Sequence, residues 1–373
     1  MSLRLYLHLP FCRSKCHYCD FNSRPAPAEC YPPYLDALAA EMTARATGAG
    51  PLETIYIGGG TPTALSTEQL VGLLAAARER FDTSRVSEVS VEANPGTVEI
   101  EKLRALRAAG VNRVSLGVQS FREDELRRLG RTHTVADAEA AIAATREAGF
   151  DNLSLDLIFG LPLQTLADWR ESLERAISHS PEHLSAYALS VGEETPLAGM
   201  IARGELPAPD EDTQAEMFLE TGERLRAAGY ARYEISNFGR PGFACRHNLG
   251  YWSGADYLGL GAGAHSYVGG VRWANCDDPE RYVARMSAGA LPVESAERLG
   301  RQDRKLEHLA LALRTTEGLA LDRYADEFGP DAVEELRTTE MEAAGLVVRR
   351  NGTLALTEQG LPVANEVLLR LMS

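Results

Sequence analysis

The chain has 373 residues, 45% of them apolar and 24% charged, with a formal net charge of −15. That length suits roughly two domains and a core that needs no disulfide staples. The acidic balance argues against general affinity for nucleic-acid phosphates or anionic membranes, and no run of about 18 apolar residues is present to span a bilayer.

The first predicted strand, "LRLYLHL" over 3–9, runs into "PFCRSKCHYCDFNS", which places Cys12, Cys16 and Cys19 close together. The N-terminus lacks the charged, apolar and cleavage-site series of a secretory signal. Clustered thiols without such a signal indicate a metal site, and the expected location is the reducing cytoplasm. Further strands are predicted near 54–60, 88–96, 113–120, 152–162 and 183–190, with helical patterns over 67–80, 100–109, 135–148 and 166–178. Alternation of this kind means a parallel sheet. Glycines and polar residues gather after the strands, where parallel sheets place their sites. The expectation is an α/β fold, a partial barrel of six strand–helix units over 1–210.

From about residue 211 the rhythm changes, and 211–298 reads as a connecting region rich in glycine and aromatics. Residues 299–373 read as helices, then a hairpin turning at Asn351–Gly352, then a last apolar helix, a winged-helix-like pattern. With only Arg349–Arg350 as a basic pair, the expected use of that domain is packing or partner binding rather than DNA.

Three thiolates are soft ligands suited to zinc or iron–sulfur. Structural zinc wants four closed ligands, usually as two paired halves. Here the spacing is C-x₃-C-x₂-C with no second half nearby, although Cys30 or His17 would be formal candidates to complete a set. A cubane cluster is normally held by four cysteines, so three leave one iron open to a small molecule.

The C-x₃-C-x₂-C run after a first strand, with aromatic Tyr18 before the last cysteine, resembles the signature of radical S-adenosylmethionine (radical SAM) proteins. That resemblance implies a 4Fe–4S cluster whose open iron is chelated by the methionyl group of SAM, and reductive cleavage to a 5′-deoxyadenosyl radical. "YLHLPFC", "GGGTPT", "VEANP", "SLGVQSF", "DLIFGLP" and "GLGAGAHSY" are similar to the coproporphyrinogen dehydrogenase (HemN) branch, which includes the HemW-type heme chaperones. Carried over by motif, Cys12, Cys16 and Cys19 are the implied cluster ligands. Tyr6, Tyr18, Gly59, Gly60, Thr61, Glu92, Gln119, Arg131 and Asp156 are the implied cofactor contacts. Taken singly, the glycines read as a tight turn, Glu92 as a surface acid and Arg131 as a surface arginine.

Two features divide that branch. The porphyrinogen-oxidising enzymes carry a further cysteine two positions after the last cluster ligand, where this chain has Phe21. "HNLGYW" (247–252) matches the HNxxYW motif of the heme chaperones. A neutral His247 can ligate heme iron while Tyr251 and Trp252 pack on the macrocycle. The plainer alternative is a hydrogen-bonded His247 with two core aromatics. The expectation is a heme chaperone binding cluster, SAM and heme. It implies heme-accepting respiratory proteins, an electron donor, peripheral membrane contact through the recipients, and a homodimer at some stage. The alternative is an oxygen-independent coproporphyrinogen III oxidase; a radical SAM enzyme acting on nucleic acid is disfavoured by charge. "GLGAGA" (259–264) fits a dinucleotide fingerprint in letters only, since no amphipathic helix follows it. His265 is a secondary candidate for heme contact, and Cys30, Cys245 and Cys276 are expected to be buried thiols.

Overall fold

The computed structural model describes residues 2–372. In its first strand, β1 (Leu3–Leu9), the four leucines are buried while Arg4, Tyr6 and His8 face the other way. Side chains alternate across a strand, so β1 has one apolar and one polar face. Five more strands continue the sheet in parallel: β2 (Leu52–Gly59), β3 (Glu88–Ala93), β4 (Arg113–Gln119), β5 (Leu153–Phe159) and β6 (His183–Ala188). Their apolar faces pack under α1 (Tyr31–Ala46), α2 (Thr67–Arg80), α3 (Ile100–Ala108), the short α4 (Glu123–Arg128), α5 (Val135–Glu147) and α6 (Leu166–Ser178). The starts of α2, α5 and α6 are fixed locally. Ser66, Thr134 and Thr165 each accept from the backbone N–H three residues on, and the residue there answers with its own side chain.

The sheet does not stop at six strands. After α7 (Pro196–Ala202) and α8 (Glu211–Ala227), β7 (Ala231–Arg232) and β8 (Asn237–Gly239) add an antiparallel edge beside β6. The short helix α9 (Arg246–Trp252) follows, and then β9 (Tyr257–Leu260) pairs in parallel with the free side of β1. Antiparallel strands β10 (His265–Val268), β11 (Val271–Asn275) and, after α10 (Pro279–Ser287), β12 (Val293–Arg298) extend that side. The order β12-β11-β10-β9-β1-β2-β3-β4-β5-β6-β8-β7 leaves two edges, so the barrel is partial and open. The segment 211–298, expected as a connecting region, therefore supplies β7 to β12 of the main sheet. Local periodicity cannot reveal that β9 returns to a partner at the far end of the sequence.

The C-terminal unit has its own core of Leu309, Leu313, Tyr324, Phe328, Leu354, Val367 and Leu371. It is built from α11 (Arg301–Ala312), β13 (Leu319–Ala320), α12 (Leu321–Phe328), α13 (Asp331–Glu334), α14 (Thr339–Ala343), β14 (Val347–Arg350), β15 (Thr353–Leu356) and α15 (Ala364–Met372). Asn351 and Gly352 turn the β14–β15 hairpin with φ of +51° and +78°, the pair of left-handed residues that a type I′ turn requires. Among the described residues no helix is long and apolar enough to cross a membrane.

Candidate functional site

Parallel sheets covered on both faces usually carry near-continuous apolar strands. Here the inward faces are polar instead: Arg4, Tyr6 and His8; Thr54 and Tyr56; Glu88, Ser90 and Glu92; Arg113 and Ser115; Ser154 and Asp156; His183 and Ser185. These residues meet inside the partial barrel. Asp156 accepts from Ser115 Oγ, 3.1 and 3.0 Å from its two oxygens, and from Ser154 Oγ at 3.3 Å. Its carboxyl is pushed above the usual carboxylate range by burial, an effect the serine hydroxyls partly offset.

The three-cysteine loop closes the C-terminal end of this lumen. Lys15, in the middle of the loop, donates to the Phe21 and Ser23 carbonyls, each at 2.8 Å, and so folds the loop around its own ammonium. Cys12 Sγ lies 3.5 Å from Thr61 Oγ1, Cys16 Sγ lies 3.5 Å from Arg131 Nη1, and Cys19 Sγ lies 3.7 Å from Ser23 Oγ. Burial pushes the Cys12 thiol up, against the Thr61 hydrogen bond that favours the thiolate. Among the described residues no three His, Cys, Asp or Glu side chains gather around a single metal-ion position. His17 is directed elsewhere, with Nδ1 3.0 Å from the Arg128 carbonyl. Cys30 is half-buried, while Cys245 and Cys276 are buried.

Around the thiols lie the strand-end residues. Gly59 has φ +116°, and a Cβ there would sit 2.7 Å from the His8 ring. At Gly60 a Cβ would meet the Phe11 carbonyl oxygen at 2.7 Å and Cys12 Sγ at 3.0 Å, so the "GGG" turn can pass the loop only without side chains. Glu92 accepts from Tyr56 Oη at 2.8 Å and from the Gly59 N–H at 3.2 Å. Burial, chiefly, raises its pKa to about 7. Gln119 ends β4 with φ +69°, a left-handed conformation that costs a non-glycine residue about 1–2 kcal/mol. Arg131, a surface arginine by sequence alone, is half-buried; besides Cys16 it donates through Nη2 to the Gly117 carbonyl at 2.7 Å. Its buried Nε has no protein partner. Tyr18 is half-buried against the small cluster of Leu129, Ile158, Leu161, Leu189 and Leu197. Tyr6 donates to or accepts from His8 Nδ1 at 3.1 Å, and His8 Nε2 reaches the Asn22 carbonyl at 2.8 Å, linking β1 to the thiol loop.

The donor set fits an iron–sulfur cluster and an adenosyl ligand. Three soft thiols share one loop, the Arg131 guanidinium reaches Cys16, and one buried guanidinium N–H is left over. Two glycines let the turn pack directly against β1 and the thiol loop, where any Cβ would clash.

His247 sits at the opposite end. It is 0% exposed on α9, below the N-terminal ends of β2 and β3. Glu88 accepts the backbone N–H of Arg246 at 2.9 Å and of His247 at 3.2 Å, and so anchors the start of α9. The imidazole has Nδ1 2.8 Å from Thr54 Oγ1 and Nε2 2.9 Å from Tyr251 Oη. Burial, then Arg4 and Arg113, lower its pKa to about 3, so the ring is neutral. Gly250 gives Arg4 room: a Cβ there would fall 2.0 Å from Arg4 Nε. His265 is exposed on β10, outside this buried network. The Gly259–Ala264 loop leads into a strand, and its Gly261 and Ala262 N–H groups are already bonded, to Glu41 at 2.9 Å and Tyr34 Oη at 2.9 Å.

Residues 6–176 match the model of the radical SAM superfamily, and residues 299–363 match the HemN C-terminal domain. The chain is 40% identical over 367 residues to the heme chaperone HemW of Bacillus subtilis (strain 168), covering 97% of each. It is 41% identical over 373 residues to the heme chaperone HemW of Mycobacterium tuberculosis (strain ATCC 25618 / H37Rv), covering 99% of this chain and 94% of that one. The chain belongs to the HemW family of radical SAM proteins. Its fold matches the radical SAM enzyme coproporphyrinogen III oxidase (HemN) of Escherichia coli with a TM-score of 0.87 at 26% identity, covering 100% of this chain and 90% of that one. Membership of the superfamily implies a 4Fe–4S cluster and SAM.

The structure thus gathers Gly60, Thr61 and Arg131 around the thiols, places Gly59 beside His8 and Glu92, and sets His247 apart. Sequence reasoning missed Tyr56, Glu88, Arg113, Ser115, Ser154 and His183. The signal was present: "SVE", "VSLG" and "LSLD" alternate polar with apolar inside strands already read as parallel.

Proposed function

We propose that this HemW-family chain is a heme chaperone that binds a 4Fe–4S cluster, SAM and heme and delivers heme to respiratory proteins. The observation that carries this reading is the full-length likeness to proteins named heme chaperones, at 40% and 41% identity. Cys12, Cys16 and Cys19 would ligate the cluster. Tyr6, Tyr18, Gly59, Gly60, Thr61, Glu92, Gln119, Arg131 and Asp156 would surround SAM, with Glu92 accepting from ribose hydroxyls. When bound, the cluster supplies an electron from an external donor and an open iron for the methionyl amine and carboxylate. Arg131, whose Nε has no protein partner, would face the added negative charge.

His247 would contact heme through Nε2, the nitrogen now held by Tyr251, so that rotation of the phenol releases it. Heme recipients, a homodimer and peripheral contact with the recipients' membrane belong to the same reading, as does a cytoplasmic location. Phe21, 66% exposed where an oxidising relative would carry a thiol, favours the chaperone over porphyrinogen oxidation.

Two measurements test it. Hemin added to the purified chain is expected to give a Soret band that His247→Ala shifts or weakens; an unchanged band would remove His247 as a ligand. Reconstituted protein given SAM, reductant and coproporphyrinogen III is expected to form no protoporphyrinogen. Multiple turnovers would replace the chaperone with the oxidase.

A further inference from the structure

The lumen has two functional ends, and one side chain touches both. Tyr56 points inward from β2, midway between Thr54, which holds His247, and Gly58, which begins the turn toward the thiols. Its hydroxyl donates to Glu92 Oε1 at 2.8 Å. Its ring lies 5.1 Å from the His247 imidazole at an interplanar angle of 31°. The Tyr6 ring completes the group, 6.1 Å from Tyr56 and 6.4 Å from His247. Gly58 keeps the contact with Glu92 open: a Cβ there would fall 2.9 Å from Glu92 Oε2 and 3.0 Å from Tyr56 Cε1.

We propose that Tyr56 is a positioning residue for both ends, fixing the Glu92 carboxylate with its hydroxyl and bracing the His247 ring with its own ring. The proposal rests on the assignment of SAM to Glu92 and of heme to His247. The two halves of the side chain act by different physics. A carboxylate held by two donors presents its remaining lone pairs in one direction, and without the phenol it is held only by the Gly59 N–H. A hydrogen bond to a charged group is worth enough that its loss is felt severalfold in affinity. The ring acts by contact alone, since an imidazole packed against an aromatic face cannot tilt without opening a void. Burial, then the Glu92 charge, push the Tyr56 hydroxyl far above its usual range, so it stays a donor at every working pH.

The test uses the full chain with its cluster reconstituted, and separates hydroxyl from ring. Tyr56→Phe keeps the ring and should weaken SAM binding about tenfold by equilibrium dialysis, while hemin titration stays within about twofold of wild type. Tyr56→Leu should weaken both and shift the Soret maximum. Gly58→Ala is the second route. A Cβ there presses on both Glu92 and the Tyr56 ring, so it should weaken SAM and heme binding together as Tyr56→Leu does, which keeps the test sharp even if Tyr56→Leu folds poorly.

Unchanged SAM affinity in Tyr56→Phe would overturn the proposal. So would equal losses of SAM and heme in Tyr56→Phe and Tyr56→Leu, because that pattern means general damage. Failure of the functional reading shows in the wild type instead. A wild-type chain that takes SAM but no heme sinks the heme assignment and, with it, the two-ended role.

Discussion

The two ends of the lumen are made from opposite materials. At the C-terminal end the chain leaves donors with weak protein partners or none: three thiols with contacts of 3.5, 3.5 and 3.7 Å, and an Arg131 Nε that is unpartnered. At the N-terminal end the groups around α9 are closed on each other. Glu88 takes up two backbone N–H groups, and His247 spends both ring nitrogens on Thr54 and Tyr251. One end keeps donors unspent, and the other would have to rearrange before its histidine could take a ligand.

The largest expected effect comes from breaking the closed end. Glu88→Ala leaves the Arg246 and His247 N–H groups without their acceptor, the latter buried, and should lower unfolding free energy by about 2–4 kcal/mol in a denaturant melt. SAM affinity should stay near wild type, because Glu88 is at the far end of β3 from Gly59 and Gly60. Equal damage to SAM binding would show that the ends are not independent in this sense. At the open end, Gly60→Ala should cost roughly 1–3 kcal/mol by pressing on the Phe11 carbonyl and Cys12, and should lower the iron retained per chain. Full iron retention would argue that the turn does not shape the thiol loop.

The pH response sharpens the contrast. With its pKa raised to about 7 by burial, Glu92 is largely protonated below that pH and a carboxylate above it. Only the carboxylate offers full acceptor capacity to ribose hydroxyls. SAM affinity should therefore rise as pH goes from 6 to 8, by up to about tenfold, and Glu92→Gln should flatten the profile. His247, lowered to about 3, stays neutral throughout, so it adds no step to heme binding over the same range. The smallest change is Tyr251→Phe, which frees His247 Nε2. It should cost roughly 1 kcal/mol of stability and speed hemin association severalfold in stopped flow; a slower association would mean that Tyr251 assists binding instead of blocking it.

Much of this was legible in the sequence, for identifiable reasons. Strands ending in "GGG", "VEANPG" and "GVQS" carry their own geometry, and the helical patterns from 67, 135 and 166 begin where the structure starts α2, α5 and α6. The Asn351–Gly352 turn was equally local. What escaped was non-local. Nothing near Tyr257 says that it pairs with Arg4, and nothing near Arg131 says that it reaches Cys16. The position of His247 depends on Thr54 and Glu88, brought against it only when the sheet forms. The polar lumen was visible as alternation within parallel strands, but its partners could be assigned only from the register.

The proposed chemistry of the open end depends most on Cys12, Cys16 and Cys19 gripping a cluster with one open corner. The direct measurement is iron and acid-labile sulfide on chain reconstituted without oxygen, with electron paramagnetic resonance of the reduced protein before and after SAM. About four irons and four sulfides per chain are expected, with a spectrum that SAM changes and with both lost in the triple Cys→Ala variant. A chain holding one zinc and no sulfide, or a signal indifferent to SAM, would contradict it.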